Sequence, residues 1–303
     1  MAVKALAWLL VPALGLAELG GHFYFSTRAP GLDEWRAVTP TVRKLRTRDE
    51  LVVVAPDWAE PNARYAFGDE LMPLSAVARA DESTFPRAIE VSILSASAPE
   101  LRGFKIVSEA RSGKFRLRVL ENPAPAKVLY DFVEHVRDAK VAELRGGAET
   151  PCPLNAHAHP TAGGLHGDPA FPALRHECGG ADSHFVGVTV VEDENWRGRR
   201  CLWAMPVPGA TLAVRFDAVP LGKTIRGYGT LPQWTERELR GAPVEVTVLV
   251  AGSPVGTYVH RDGDGWKRFE FPVAAPSPSD VEFRISSPRG GRDRQFCFQA
   301  DSR

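Results

Sequence analysis

What the chain lacks narrows its possible roles first. It has no surplus of either charge: 37 lysines and arginines balance 37 aspartates and glutamates across 303 residues. Without a basic surplus to neutralise phosphates, nucleic acid is excluded as the main partner. Locally basic pieces occur at Arg197-Gly198-Arg199-Arg200 and from Arg43 to Arg48, but acidic residues follow each closely, as on a solvated face. There is no Gly-x-Gly-x-x-Gly and no Walker loop, which removes the direct argument for a nucleotide. There is no Gly-x-Ser-x-Gly either, so no nucleophile elbow is written. A carboxylate pair for glycoside hydrolysis has no sequence signature, because the fold sets its separation.

Cysteine is sparse and confined to the C-terminal half: Cys152, Cys178, Cys201 and Cys297. An even count in one half suggests two disulfides and an oxidising compartment. Three pairings are open. Cys152–Cys178 and Cys201–Cys297 are favoured, the first stapling a Gly- and Pro-rich loop, the second tying an early strand to the last. Four reduced, buried cysteines are the alternative.

Long apolar runs are confined to the N-terminus. Lys4 precedes Ala5 to Ala17, and Gly20 to Phe25 continues the run after Glu18. As one helix, Ala5 to Phe25 would be about 31 Å long, close to a bilayer's hydrocarbon thickness. No good small-x-small cleavage site follows, so residues 1–25 are expected to be an uncleaved membrane anchor. A removed signal peptide and a buried helix are the alternatives. With only Lys4 on the short side, the remainder is expected outside the cytoplasm, in the cell envelope.

The remaining chain has the composition of an ordinary globular protein, 44% hydrophobic and 24% charged, so a full core is available. At about 150 residues per domain, the length suggests two domains. Residues 36–145 read as a small α/β layer domain. A linker enters a helix near Thr39 to Leu45, Leu51-Val52-Val53-Val54 is a strand covered on both faces, and Glu60-Pro61 opens a short helix. Val128 to Leu144 reads either as a strand leading into a helix or as one amphipathic helix. Residues 146–183 read as a disulfide- and His-rich connector. Residues 184–303 read as an antiparallel β-sandwich, giving an α+β chain overall. Val244, Val246, Val248 and Val250 alternate with Glu245, Thr247 and Leu249; Phe269 and Phe271 alternate with Arg268 and Glu270; Val281, Phe283 and Ile285 alternate with Glu282 and Arg284. A period of two buries one face and wets the other. Turn residues at Gly252-Ser253-Pro254, Asp262-Gly263-Asp264-Gly265 and Pro276-Ser277-Pro278 separate the runs.

Two resemblances accompany this reading. Asp49-Glu50-Leu51-Val52-Val53-Val54-Ala55-Pro56, with Trp58-Ala59-Glu60-Pro61 and Arg64-Tyr65, resembles the extracytoplasmic α/β domain of protein O-mannosyltransferase-like membrane glycosyltransferases. That family's catalytic acid lies between membrane helices this chain does not repeat, so the resemblance implies a setting in envelope glycan metabolism and no catalytic residue. The sandwich half, with Gly256 and the Asp-Gly-Asp-Gly-Trp hairpin, resembles galactose-binding-like jelly-rolls found in carbohydrate-binding modules.

Tyr228 and Trp234, with Arg226 and Arg237 near them, are the candidate ligand-binding residues, because sugar rings stack their C–H faces on aromatics. His157, His159, His166 and His176 lie between two cysteines and are candidate zinc ligands, with solvated loop histidines as the alternative. Asp262, Asp264 and the Glu192-Asp193-Glu194 run are candidate calcium ligands, with ordinary turns as the alternative. Asp57 and Glu60 follow the Val52 strand at the position where open α/β sheets bind ligands, and they also suit a helix start. Together these features point to a non-catalytic accessory protein of envelope glycan assembly that binds carbohydrate or an envelope protein and needs no cofactor. A glycan-modifying enzyme and a structural interaction module are the rivals.

Overall fold

The computed structural model describes residues 2–47, 50–163, 169–289 and 294–303. They form two compact units, one of residues 1–76 with 81–125, the other of 77–80 with 126–303. The division falls at residue 125 and not at 145.

The first unit opens with α1 (Ala2–Arg28) and α2 (Leu32–Leu45). Lys114 Nζ donates to the carbonyls of Thr27 and Ala29 at 3.1 and 3.2 Å, capping the end of α1 with positive charge. Among the described residues no helix is long and apolar enough to cross a membrane. The expected anchor over residues 1–25 is therefore not supported: Pro12 lies within α1, and Glu18, His22 and glycines dilute its apolar content. Strands β1 (Leu51–Ala55), β2 (Arg87–Ser92), β3 (Lys105–Ser112) and β4 (Phe115–Glu121) form a sheet in the order β1-β2-β4-β3, with β1 and β2 parallel. β1 is buried along its whole length, as its unbroken apolar run requires. On one face Leu51, Val53, Ala88 and Leu120 pack with Ala98 and Leu101. On the other, Trp35 of α2 meets Phe115 edge-on at 4.7 Å and Phe67 of α3 (Glu60–Leu71) at 5.7 Å. A single turn, α4 (Leu74–Val77), follows.

The second unit is an antiparallel β-sandwich. Strands β5 (Tyr130–Asp131), β6 (Lys140–Arg145), β7 (Ala148–Cys152), β8 (Leu154–Asn155) and β9 (Arg175–Glu177) come first. Then follow β10 (Phe185–Glu192), β11 (Gly198–Ala204), β12 (Thr211–Val219) and β13 (Thr224–Thr230). The short helix α5 (Gln233–Glu238) precedes β14 (Val244–Val250), β15 (Ser253–His260), β16 (Lys267–Pro272), β17 (Ser279–Ser286) and β18 (Cys297–Ser302). One sheet runs β16-β13-β18-β11-β10-β9-β8, with β5 also on β18; the other runs β15-β14-β17-β12-β6-β7. The expected alternation is present: Val244, Val246, Val248, Val281, Phe283 and Ile285 meet Leu202, Ile225, Phe269 and Phe298 in one core. Phe283 and Phe298 lie 5.1 Å apart.

Val128 to Leu144 holds no α-helix. It supplies β5, a 3-10 turn and β6, and its helix-like apolar spacing arises because Phe132, Val133 and Val136 are buried around that turn in the sandwich core. The segment expected to be a connector, 146–183, contributes the edge strands β7 and β8 and the strand β9 beside β8. Both favoured disulfides are formed, Cys152–Cys178 and Cys201–Cys297, and no cysteine is free.

Candidate functional site

Three loops gather at one end of the sandwich: residues 193–197 between β10 and β11, 231–243 between β13 and β14, and 261–266 between β15 and β16. Each is built around a buried carboxylate.

In the first, Asp193 is fully buried. Its Oδ1 accepts the backbone N–H groups of Asn195 at 2.8 Å and Arg197 at 3.1 Å, and its Oδ2 accepts Arg199 Nε at 2.8 Å. This closed turn holds Trp196 in the left-handed region at φ +62°, a conformation that costs a bulky residue about 1–3 kcal/mol. Held there, Trp196 keeps 42% of its surface exposed, and the Arg237 guanidinium lies 5.4 Å from its ring centre.

In the second and third, Glu236 of α5 is a hub with no exposed side-chain surface. Its Oε1 accepts Leu231 N–H at 2.9 Å, the Thr230 hydroxyl at 3.3 Å and His260 Nε2 at 2.7 Å, while Oε2 accepts Gly263 N–H at 2.8 Å. Nδ1 of His260 lies 2.7 Å from the Tyr258 hydroxyl, which also reaches Gly229 O at 3.3 Å. With Nε2–H donating to the carboxylate, the free Nδ1 accepts the phenol proton, and every member is satisfied. Burial, then the charges of Asp264 and Glu236, push the Tyr258 phenol far above its ordinary value. Beside this hub, Asp262 Oδ1 accepts Arg294 Nη1 and its Oδ2 accepts Gly241 N–H at 2.6 Å. Burial raises the Asp262 carboxyl, but Arg294 and the loop N–H groups outweigh it and hold the group below its usual range. Arg294 is itself 1% exposed, and a Cβ on Gly241 would stand 1.6 Å from its Nη2, so only glycine fits there.

The loops touch. Leu239 lies against Gly263, and Glu194 lies beside Gly265. Immediately below, Trp266 and Tyr228 stack at 5.4 Å with 5° between their planes, and Arg199 lies 5.3 Å from the Trp266 ring. Trp266 Nε1 donates to Ala80 O at 2.8 Å. The result is a rigid end surface carrying aromatic faces and guanidinium groups.

Of the residues anticipated, Tyr228, Trp234 and Arg237 come to this end. Arg226 sits lower on the same face of β13, paired with Glu270 at 3.3 Å. Glu236 and His260 had no assigned role from sequence, whereas Trp196 and Trp266 stood among the aromatics concentrated in the sandwich half, Trp266 with the core as its expected place. The signal for the hub was present: Tyr258 and His260 share the inward parity of β15, and a histidine on an apolar strand face needs a partner.

The other candidates do not assemble. His157 and His159 are exposed, His176 is buried with ring nitrogens 3.3 and 3.0 Å from Cys152 O and Val136 O, and His166 lies outside the described residues. Among the described residues no group of three or more His, Cys, Asp or Glu could hold a metal ion. The described histidines do not converge, because His176 is turned toward Cys152 O of β7 and Val136 O of the 3-10 turn. At the candidate calcium positions the protein's own cations lie on the oxygens: Arg199 on Asp193, Arg294 on Asp262, and Lys267 on Asp264 at 2.8 Å. Asp57 accepts Trp58 N–H at 2.9 Å in a 3-10 turn and Glu60 opens α3, so both take helix-start positions.

No protein-family model matches the chain, and no curated protein matches it. Among solved structures the chain is similar to the CBM51-2 and INT domains from Clostridium perfringens ZmpB, with 9% identity and a TM-score of 0.29 over 38% of this chain and 26% of that one. It is similar to CBM51 from Clostridium perfringens GH95 in complex with methyl-galactose, with 7% identity and a TM-score of 0.27 over 38% of this chain and 78% of that one. It is also similar to the tandem CBM51 modules of Sp3GH98, the family 98 glycoside hydrolase from Streptococcus pneumoniae SP3-BS71, with 8% identity and a TM-score of 0.32 over 63% and 56%. The chain spans about a quarter of the length of the first of these. The resemblance of residues 49–65 to protein O-mannosyltransferase-like enzymes finds no support among the comparisons.

Proposed function

We propose that the sandwich unit binds carbohydrate, without catalysis of its own, at the loop end that carries Trp196, Arg237, Trp266 and Tyr228. The observation behind this reading is Trp196. A fully buried aspartate and a strained backbone hold a large apolar ring with 42% of its surface exposed. Such a ring suits the C–H face of a sugar, and the guanidinium beside it suits the hydroxyls. Two formed disulfides support a working place outside the reducing cytoplasm.

The test is a glycan array on the full chain, followed by calorimetric titration of any hit. Trp196→Ala should weaken binding about tenfold or more, the loss of one stacked aromatic. Phe216→Leu, altered in the inter-sheet core beside Phe132 and Phe283, should leave affinity unchanged. Failure to bind any glycan, or equal affinity in Trp196→Ala and Arg237→Ala, would refute the proposal.

A further inference from the structure

A cleft of about 410 Å³ opens on the side of the sandwich where β6 and β7 meet β8 and β9. It lies within the usual size range of small-ligand sites, roughly 300–1,000 Å³. Its floor is apolar, formed by Ala142, Pro151 and Leu154, with Leu154 40% exposed. Its rim carries Arg137, Lys140 and Arg215 against a single acid, Glu149. His176, fixed by its two backbone contacts, closes the inner wall.

The three cations are not equivalent. Arg215 is committed, with Glu149 at 2.5 Å and Glu282 at 3.2 Å. Lys140 contacts Asp217, but the two side chains are 70% and 53% exposed, and such surface pairs contribute little and exchange readily. Arg137 is exposed and makes no ion pair among the described residues. The cleft therefore offers a guanidinium with no ion pair among the described residues and one easily redirected ammonium above an apolar floor.

We propose that this cleft binds a carboxylate carried on a sugar-sized ring, as in a uronic acid. Arg137 takes the carboxylate oxygens in its planar fork, Lys140 adds charge, and Pro151 and Leu154 receive the C–H face of the ring. Glu149 on the same rim opposes a dianion more than a monoanion, which favours a carboxylate over phosphate. This site is separate from the loop end and stands without it.

The experiment titrates the full chain with D-glucuronate, D-glucose and inorganic phosphate, following chemical shifts at low and at physiological salt. Glucuronate should shift residues of β6, β7 and β9 and bind more weakly as salt rises; glucose should not bind there. Arg137→Ala should weaken glucuronate about tenfold, the loss of a charge-assisted hydrogen bond, with Arg137→Lys between the two. Trp196→Ala should leave glucuronate binding unchanged, which separates this site from the loop end. No glucuronate binding, equal binding of glucose, or indifference to Arg137→Ala overturns the proposal. Phosphate binding as tightly as glucuronate overturns the carboxylate assignment.

Discussion

Removing the Glu236 carboxylate should be among the most damaging single changes available in the sandwich unit. In Glu236→Ala, two buried donors, Leu231 N–H and His260 Nε2–H, and the part-buried Gly263 N–H lose their acceptor. The Thr230 hydroxyl keeps a second acceptor in Leu231 O at 2.9 Å, so it loses little. Each stranded donor costs about 1–3 kcal/mol. The three are coupled through one carboxylate, and Gly263 N–H can reach water, so their costs do not add fully and the expected total is about 2–5 kcal/mol. Against a typical domain stability of about 5–15 kcal/mol, such a loss is easily measured. Glu236→Gln keeps the shape and one oxygen but turns an amide N–H₂ toward a donor, so it should fall between wild type and alanine. The assay is urea unfolding of the oxidised full chain, reading the sandwich transition. A double-mutant cycle with His260→Ala should show a coupling of about 1 kcal/mol or more. A Glu236→Ala cost under about 1 kcal/mol, the level of an ordinary surface change, would refute the hub.

Two further outcomes follow from the same unit. Replacing Cys201 and Cys297 by alanine releases a separation of 96 residues and should cost about 4–5 kcal/mol, against about 3–4 kcal/mol for Cys152 and Cys178 at 26; thermal unfolding of the two double variants in the reverse order would contradict this. Asp131 is pushed above its ordinary value by burial, with Glu134 and Asp301 adding to the rise, so its contribution to stability is fully present below pH 3.8 and is lost as pH rises through the raised folded value. Asp131→Asn keeps the acceptor for Val133 N–H at 2.8 Å, so it should raise the melting temperature at pH 7 and lose that advantage in acid; a lowered melting temperature at pH 7 would count against it.

The sandwich was legible where one residue type repeats every second position. Val244 to Val250 and Val281 to Ile285 announce their buried face without reference to any other strand. The disulfides were legible because four cysteines leave few pairings. The end surface was only half legible. Tyr228, Trp234 and Arg237 carry a local signal, aromatic and basic residues in a Gly- and Pro-broken loop. Glu236 and His260 stand 24 residues apart on different elements, and only the fold makes them neighbours. The outward placement of Trp196 was hidden for another reason: the Asp193 turn that sets it is a loop conformation, without periodicity. Val128 to Leu144 misled because a 3-10 turn places Phe132, Val133 and Val136 at a spacing that a helix also uses.

The distribution of buried charge is what ties architecture to function. Between the sheets the core is almost wholly apolar, and it would hold the sandwich without help. Yet Asp193, Glu236 and Asp262, with Arg199, His260 and Arg294, are all sequestered at one end. Replacing a buried ion pair with apolar side chains of equal volume is often neutral or stabilising, so stability alone gives no reason to concentrate two such pairs and a third buried carboxylate there. Each of these carboxylates instead accepts backbone N–H groups of its own or a neighbouring loop, which apolar side chains cannot do. Their common effect is to immobilise three irregular loops against one another, and a binding surface held rigid in advance loses less entropy when a ligand arrives. The same reasoning separates the loop end from the cleft beside β7. There, Arg137 and Lys140 are exposed to solvent, so affinity must come from the charge of the ligand and should decline with salt, while affinity at the loop end should barely respond to salt.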